Sequence, residues 1–221
     1  MDYQAARHNM IENQVRPNKV TDLNVIKAMD NIPREKFVPA HAGSFAYSDK
    51  AILLSKDRYL MAPALFARLL QEAQISTDDM VLNIGCGSGY PVAVLARIAK
   101  AVVGIEVDPV LAKTASALLV ELGIDNALIL EKVLVGGYAK QAPYDVIIFN
   151  GAIQYTPKKI IDQLAEGGRL VSVVADVNQS YGSMGKVVIM YKFGGQVSES
   201  EIFDAATPLL SDFEKEKYFK F

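Results

Sequence analysis

The chain is poor in the residues that build metal centres and covalent cross-links. A single cysteine, Cys86, excludes an internal disulfide and argues against a cysteine-based metal site. The two histidines, His8 and His41, stand far apart and form no ligand pair. No apolar run approaches the roughly 18 residues of a spanning helix, and the N-terminal segment lacks an apolar signal core. The chain is therefore expected to be soluble and cytoplasmic, with no membrane partner. Neither sign of charge dominates: 23 Lys and Arg face 25 Asp and Glu, a net charge of −2, which removes the electrostatic reason to expect nucleic acid. Repeats and low-complexity stretches are absent, which argues against solenoid and linker architectures. What remains is 221 residues, 51% apolar and 22% charged, suited to one domain over residues 1–221 with a full hydrophobic core.

That domain is organised around residues 80–106. Met80 to Ile84 is a short apolar run of strand length. Gly85, Gly87 and Gly89 alternate through a turn, where each can take φ > 0 or let a ligand approach the backbone. Val92, Val94, Leu95 and Ile98 mark a helix whose N-terminal amides face whatever the turn holds. Val102 to Glu106 predicts a second buried strand, ending on an acid about 20 residues after the first glycine. A nucleotide-binding βαβ unit puts its ribose-gripping carboxylate there. Cys86 lies inside the turn with nothing basic beside it in sequence, so it reads as a space-filling side chain rather than an activated thiolate.

The flanks continue the alternation. Tyr3 to Val15 predicts a helix with Ala6, Met10 and Val15 inside, and Asp22 caps a second over Leu23 to Met29 with Leu23, Ile26 and Met29 inside. Ile32 to Pro39 reads as extended, and Pro63 opens a helix to about Gln74. Asp108-Pro109 opens a helix that Gly123 stops, and Ala127 to Leu130 and Tyr144 to Asn150 read as strands. Thr156-Pro157 opens a helix to about Leu164, before a strand from Arg169 to Ala175. Lys186 to Lys192 and Val197 to Ala205 are joined through Gly194-Gly195, short enough for a hairpin, so at least one of them is antiparallel. The pattern predicts an α/β fold: a doubly wound, mostly parallel sheet over residues 76–205, after a helical N-terminal portion of residues 1–75. The apolar tail of residues 206–221, with Leu209 to Phe213 and Tyr218 to Phe221, is expected to fold back as a latch; a dimer contact or partner-binding segment is the alternative.

Nicotinamide and flavin binders space their glycines G-x-G-x-x-G, whereas Gly85-x-Gly87-x-Gly89 with a strand-end acid is the spacing of S-adenosylmethionine-dependent methyltransferases. With Met10 to Arg16, Ile32-Pro-Arg-Glu-Lys-Phe-Val-Pro39, Ala46 to Asp49, Leu82 to Tyr90, Ala142 to Asp145 and Gln163 to Val171, the sequence resembles the protein-L-isoaspartate O-methyltransferase family over most of its length. The resemblance implies a Rossmann-like methyltransferase fold, S-adenosyl-L-methionine as cofactor, and methyl transfer to an isoaspartyl-type carboxylate on a protein or peptide, as in protein repair. It implies cofactor contacts at Asn83, Gly85, Cys86, Gly87, Ser88, Gly89, Glu106, Val107, Val133 and Leu134, and substrate contacts at Tyr59, Met61 and Asn150.

The chain also departs from the family. The family's G-Q-T-I-S-Q-P segment reads Asp57 to Pro63 here, so Tyr59 and Met61 replace the Thr and Ser of the methyl site. Methionine offers no hydroxyl donor, and Tyr59 offers one only from a different distance. Asn83 stands in place of an acid, and Val133 replaces an adenine-binding carboxylate. Loss of a neutral hydrogen bond costs about 0.5–1.5 kcal/mol, and more where a partner is charged. Those departures motivate a second reading, a catalytically inactive cofactor-binding or scaffold protein on the same fold. A third, an NAD-dependent oxidoreductase, has only the generic βαβ unit behind it.

Overall fold

The computed structural model describes residues 1–175 and 184–215. Asp2 caps α1 (Tyr3–Met10), which widens into a π turn over Ile11–Val15 and places Met10, Ile11 and Val15 inside. Asp22 accepts from the amides of Asn24 and Val25 and so starts α2 (Leu23–Asn31). The buried face of α2 is Val25, Ile26, Ala28 and Met29. Leu23, expected inside, sits at the first helical position and is 66% exposed. Ile32 to Pro39 is not extended as expected, because Arg34–Phe37 forms a 3₁₀ turn. The turn is held by Arg34, whose side chain is fully buried and bonded to two distant carbonyls.

A hairpin of β1 (Ile52–Ser55) and β2 (Arg58–Leu60) precedes α3 (Pro63–Ala73), which starts at its proline as expected. The main sheet has seven strands: β3 (Met80–Ile84), β4 (Ala101–Glu106), β5 (Ala127–Glu131), β6 (Tyr144–Ile153), β7 (Leu164–Ala175), β8 (Gly185–Phe193) and β9 (Gln196–Ala205). Their order is β5-β4-β3-β6-β7-β8-β9, parallel through β7, with both β8 and β9 antiparallel. Helices α4 (Tyr90–Leu95) and α5 (Pro109–Glu121) cross over between β3, β4 and β5. The helix expected to reach Leu164 is only α6 (Lys158–Ile161). It stops early because Gln163 turns back to bond Gly136 O, Lys159 O and the Tyr138 amide, while Leu164 already pairs with Tyr144 in the sheet.

Period-two alternation divides the core between the two faces of the sheet. Val81, Val102, Val146, Ile148, Val171 and Val173 join α3, α4, α5 and the N-terminal helices in one cluster. Leu82, Ile84, Val103, Ile105, Ile147, Phe149 and Leu170 form the other. This second face has thin cover, and Leu210 and Phe213 from the C-terminal tail complete it. Phe213 is fully buried, its ring edge-on to Phe149 at 5.0 Å. Residues 207–213 thus fold back as expected, whereas Tyr218 to Phe221 lie outside the described residues. Among the described residues, no helix is long and apolar enough to cross a membrane.

Candidate cofactor site

The strand order reverses between β3 and β6, and open α/β sheets bind ligands in the crevice at such a switch point. The glycine turn lies at this edge. Gly85, Gly87 and Gly89 all have positive φ, at 72°, 56° and 94°, so each needs the conformational freedom it has. Gly89 caps α4, and a Cβ there would fall 2.8 Å from that of Ala115, so α4 and α5 approach closely only over a glycine. The amide of Gly87 points at an acid: it donates to Glu106 Oε2 at 2.8 Å.

Glu106 is fully buried at the end of β4. Its Oε1 accepts from the amides of Val107 at 2.8 Å and Asp108 at 3.1 Å, and from Arg58 Nε at 3.0 Å. Arg58, from β2, also donates through Nη2 to Asp212 of the tail. Burial opposes the Arg58 charge, but Glu106 and Asp212 outweigh it and hold the guanidinium pKa above its ordinary value. Next door, Asp108 caps α5 through Val110 and Leu111 and accepts from Ser55 Oγ at 2.8 Å. Burial raises its pKa, yet the Ser55 hydroxyl and the two amides win and hold its carboxyl below the usual range.

The tail closes the crevice. Ala152 N donates to Pro208 O at 2.9 Å, Leu210 N to Ala152 O at 2.8 Å, and Gln154 N to Phe213 O at 3.0 Å, so Thr207 to Phe213 docks along β6. The Leu210 side chain sits on two glycines. A Cβ built on Gly85 would meet its Cδ2 at 3.0 Å, and one on Gly151 its Cγ at 2.7 Å. Ser211 donates to Asp57 beside Arg58, so the tail is tied to both the sheet and the hairpin.

The structure brings Gly85, Gly87, Glu106, Val107 and Asn150 together at this edge. Asn150 donates to Gly85 O at 3.1 Å. Among the described residues, its Oδ1, like that of Asn83, is buried with no hydrogen-bond partner. Ser88 turns away to donate to Phe37 O. Leu134 is fully buried beside Gly85, whereas Val133 is 64% exposed. Tyr59 stands in β2 opposite Leu53. The Met61 side chain is buried in the first core cluster, and its carbonyl accepts from Arg34.

Arg58, Leu210 and Asp212 are site residues that the sequence pattern does not single out. The available signal was a lone arginine next to the apolar run Tyr59-Leu60-Met61, in the segment that departs most from the family pattern.

Cys86 is fully buried behind the loop, its Sγ 3.2 Å from where a Cβ on Gly104 would lie. Burial, and then the charge of Glu106, push its thiol pKa well above the ordinary value. The folded chain should therefore resist iodoacetamide at about pH 8, where a free thiol is partly ionised, and take up one equivalent once unfolded in urea. Intact mass after a timed quench reads this directly; fast alkylation of the folded chain would contradict the buried placement.

The model of the protein-L-isoaspartate(D-aspartate) O-methyltransferase family matches residues 5–192. A protein-L-isoaspartate O-methyltransferase of Roseiflexus castenholzii is 39% identical over 171 residues, covering 77% of this chain and 78% of that protein. One from Methanoculleus marisnigri is 37% identical over 172 residues, covering 76% of each. A solved putative protein-L-isoaspartate O-methyltransferase from Plasmodium falciparum, in complex with S-adenosyl-L-homocysteine, superimposes with a TM-score of 0.78 at 20% identity, covering 93% of this chain and 98% of that one. The last strand β9 and the tail at 207–213 lie beyond the matched span, but strands β3 to β7, the glycine turn and Glu106 lie within it, and the chain belongs to the protein-L-isoaspartate(D-aspartate) O-methyltransferase family.

Proposed function

We propose that the chain is an S-adenosyl-L-methionine-dependent methyltransferase that holds its cofactor over the carboxyl ends of β3, β4 and β6 and methylates an isoaspartyl-type carboxylate of a protein or peptide. The observation that carries this reading is Glu106, a fully buried carboxylate at the end of β4 that accepts the Gly87 amide of the turn. The residue types fit the cofactor. Glu106 would take the ribose hydroxyls, the Gly85–Gly89 backbone would lie against the amino-acid portion, and Leu134 would flank the base. The Oδ1 atoms of Asn83 and Asn150, without a partner among the described residues, give the site two acceptors for a bound donor such as an ammonium. In this conformation Leu210 rests on Gly85 and Gly151 and Arg58 bonds Glu106, so the surfaces the cofactor would use are already in contact with side chains of the chain itself.

When bound, the cofactor supplies an electrophilic methyl on a sulfonium. The chain then needs no general base, since an acceptor carboxylate with a pKa near 4 is already ionised at neutral pH. Its task is to align the two reactants and exclude water, and the apolar surroundings formed by Leu134 and the second core cluster suit that. A cytoplasmic setting goes with this reading, as the lone thiol makes no disulfide.

A second reading, binding without turnover, is favoured by Met61. It stands where the family has its serine, and its side chain is buried in the core rather than presented to an acceptor. Calorimetry with S-adenosyl-L-homocysteine, followed by transfer of a labelled methyl group to an isoaspartyl peptide, separates the readings. Binding with transfer is expected, and binding without transfer selects the second reading. Failure of both the wild-type and the Leu210→Ala chain to bind at millimolar ligand rejects the cofactor assignment.

A further inference from the structure

We propose that residues 207–213 and Arg58 act together as an internal occupant of the cofactor site, so that the chain is closed by its own tail and the cofactor binds only after the tail lets go. This rests on reading the glycine turn and Glu106 as the cofactor site.

Two ends of that site are filled by different chemistry. At the carboxylate end, Arg58 Nε and three backbone amides converge on Glu106, and the carboxylate is fully buried. At the other end, Leu210 rests on Gly85 and Gly151, the bare backbone that flanks the switch point of the sheet. Its side chain is 3% exposed. The two ends are one device, because Asp212, two residues after Leu210, is the second carboxylate on Arg58. Removing the tail frees the glycine surface and at the same time takes one counter-charge from Arg58. The buried guanidinium is then compensated by one carboxylate fewer, so less favours its place beside Glu106. Cofactor and tail therefore compete for the same surface, and by linkage each weakens the other.

The hold is suited to release. Among the described residues it comprises three backbone hydrogen bonds at Ala152, Leu210 and Gln154, the side chains of Leu210 and Phe213, and a pair of side-chain contacts to the hairpin. Apparent affinity falls by the fraction of molecules that are open, so a closed form in roughly hundredfold excess weakens binding about a hundredfold without changing any cofactor contact.

The test compares S-adenosyl-L-homocysteine binding by calorimetry in full-length wild type, Leu210→Ala and Asp212→Asn. Leu210→Ala empties the glycine surface while Phe213 still anchors the tail, and Asp212→Asn weakens the tie to Arg58 without touching the core. Both should bind more tightly than wild type, Leu210→Ala by about tenfold or more. Amide hydrogen exchange supplies a readout independent of affinity. The Ala152, Leu210 and Gln154 amides should be protected in the ligand-free chain and exchange faster at saturating ligand. Equal affinity in all three chains, with those amides still protected when ligand is bound, overturns the closure and leaves the cofactor assignment standing. Unprotected tail amides before ligand is added overturn it as well. No binding by any of the three chains rejects the cofactor assignment, and the closure with it.

Discussion

Glu106→Ala should lower the unfolding free energy by about 3–5 kcal/mol, the cost typical of breaking a buried ion pair from one side. The loss has two sources. Arg58, with a side chain 5% exposed, keeps its charge but is left with Asp212 and the more distant Asp57. The amides of Gly87, Val107 and Asp108 lose a shared acceptor, the first in a buried place and the other two in part-buried ones. Arg58→Met should cost less, because the Glu106 carboxylate keeps all three amides, although it loses its counter-charge and Asp212 and Asp57 lose theirs. Combining the two changes should destabilise less than their sum, since the double variant no longer buries an arginine without its main counter-charge. Urea unfolding of the four chains reads the cycle. A loss below about 1 kcal/mol for Glu106→Ala, or strict additivity, would show that the pair is not coupled in the folded chain. The same substitution removes the proposed ribose acceptor, so it should also abolish S-adenosyl-L-homocysteine binding in the Leu210→Ala background.

How much of this could be read from the sequence depended on how far apart the interacting residues are. Asp22, Pro63 and Asp108-Pro109 announced their helices because a cap acts within three residues. Strands β3, β4 and β6 were legible from apolar runs of the right length. The glycine turn and Glu106 were legible together because the βαβ unit fixes their separation. Arg58 was not, since its partners Glu106 and Asp212 lie 48 and 154 residues further along the chain. The tail could be seen to be apolar, but its docking site is a surface made jointly by Gly85 after β3 and Gly151 within β6, which exists only once those strands have paired. The turn at Arg34–Phe37 reads as extended in the sequence for the same reason. Two prolines bracket it locally, while the bonds that hold it are tertiary.

Those bonds lead to the second large effect. Arg34→Met should destabilise the chain by about 3–5 kcal/mol, although methionine retains much of the volume. The Arg34 side chain is fully buried; Nε donates to Ala46 O at 2.7 Å and Nη2 to Met61 O at 2.7 Å. Its guanidinium carbon lies 4.8 Å from the centre of the Tyr90 ring. Burial pushes its pKa down, and interactions with Tyr90 and other neighbours only partly offset that. One side chain thus fastens the 32–39, 46–49 and 57–63 segments to the first helix of the cofactor unit; the first two are among the segments that carry the family resemblance, and the third is the one that departs from it. Methionine leaves two buried carbonyls without donors, each worth roughly 1–3 kcal/mol, and gives up the ring contact. Arg34→Lys should recover little of the loss, because a point-charge ammonium lacks the planar fork that reaches two carbonyls at once. Urea denaturation followed by far-ultraviolet circular dichroism measures both variants. Full stability in the lysine chain would show that charge, rather than the paired donors, is what the three segments require.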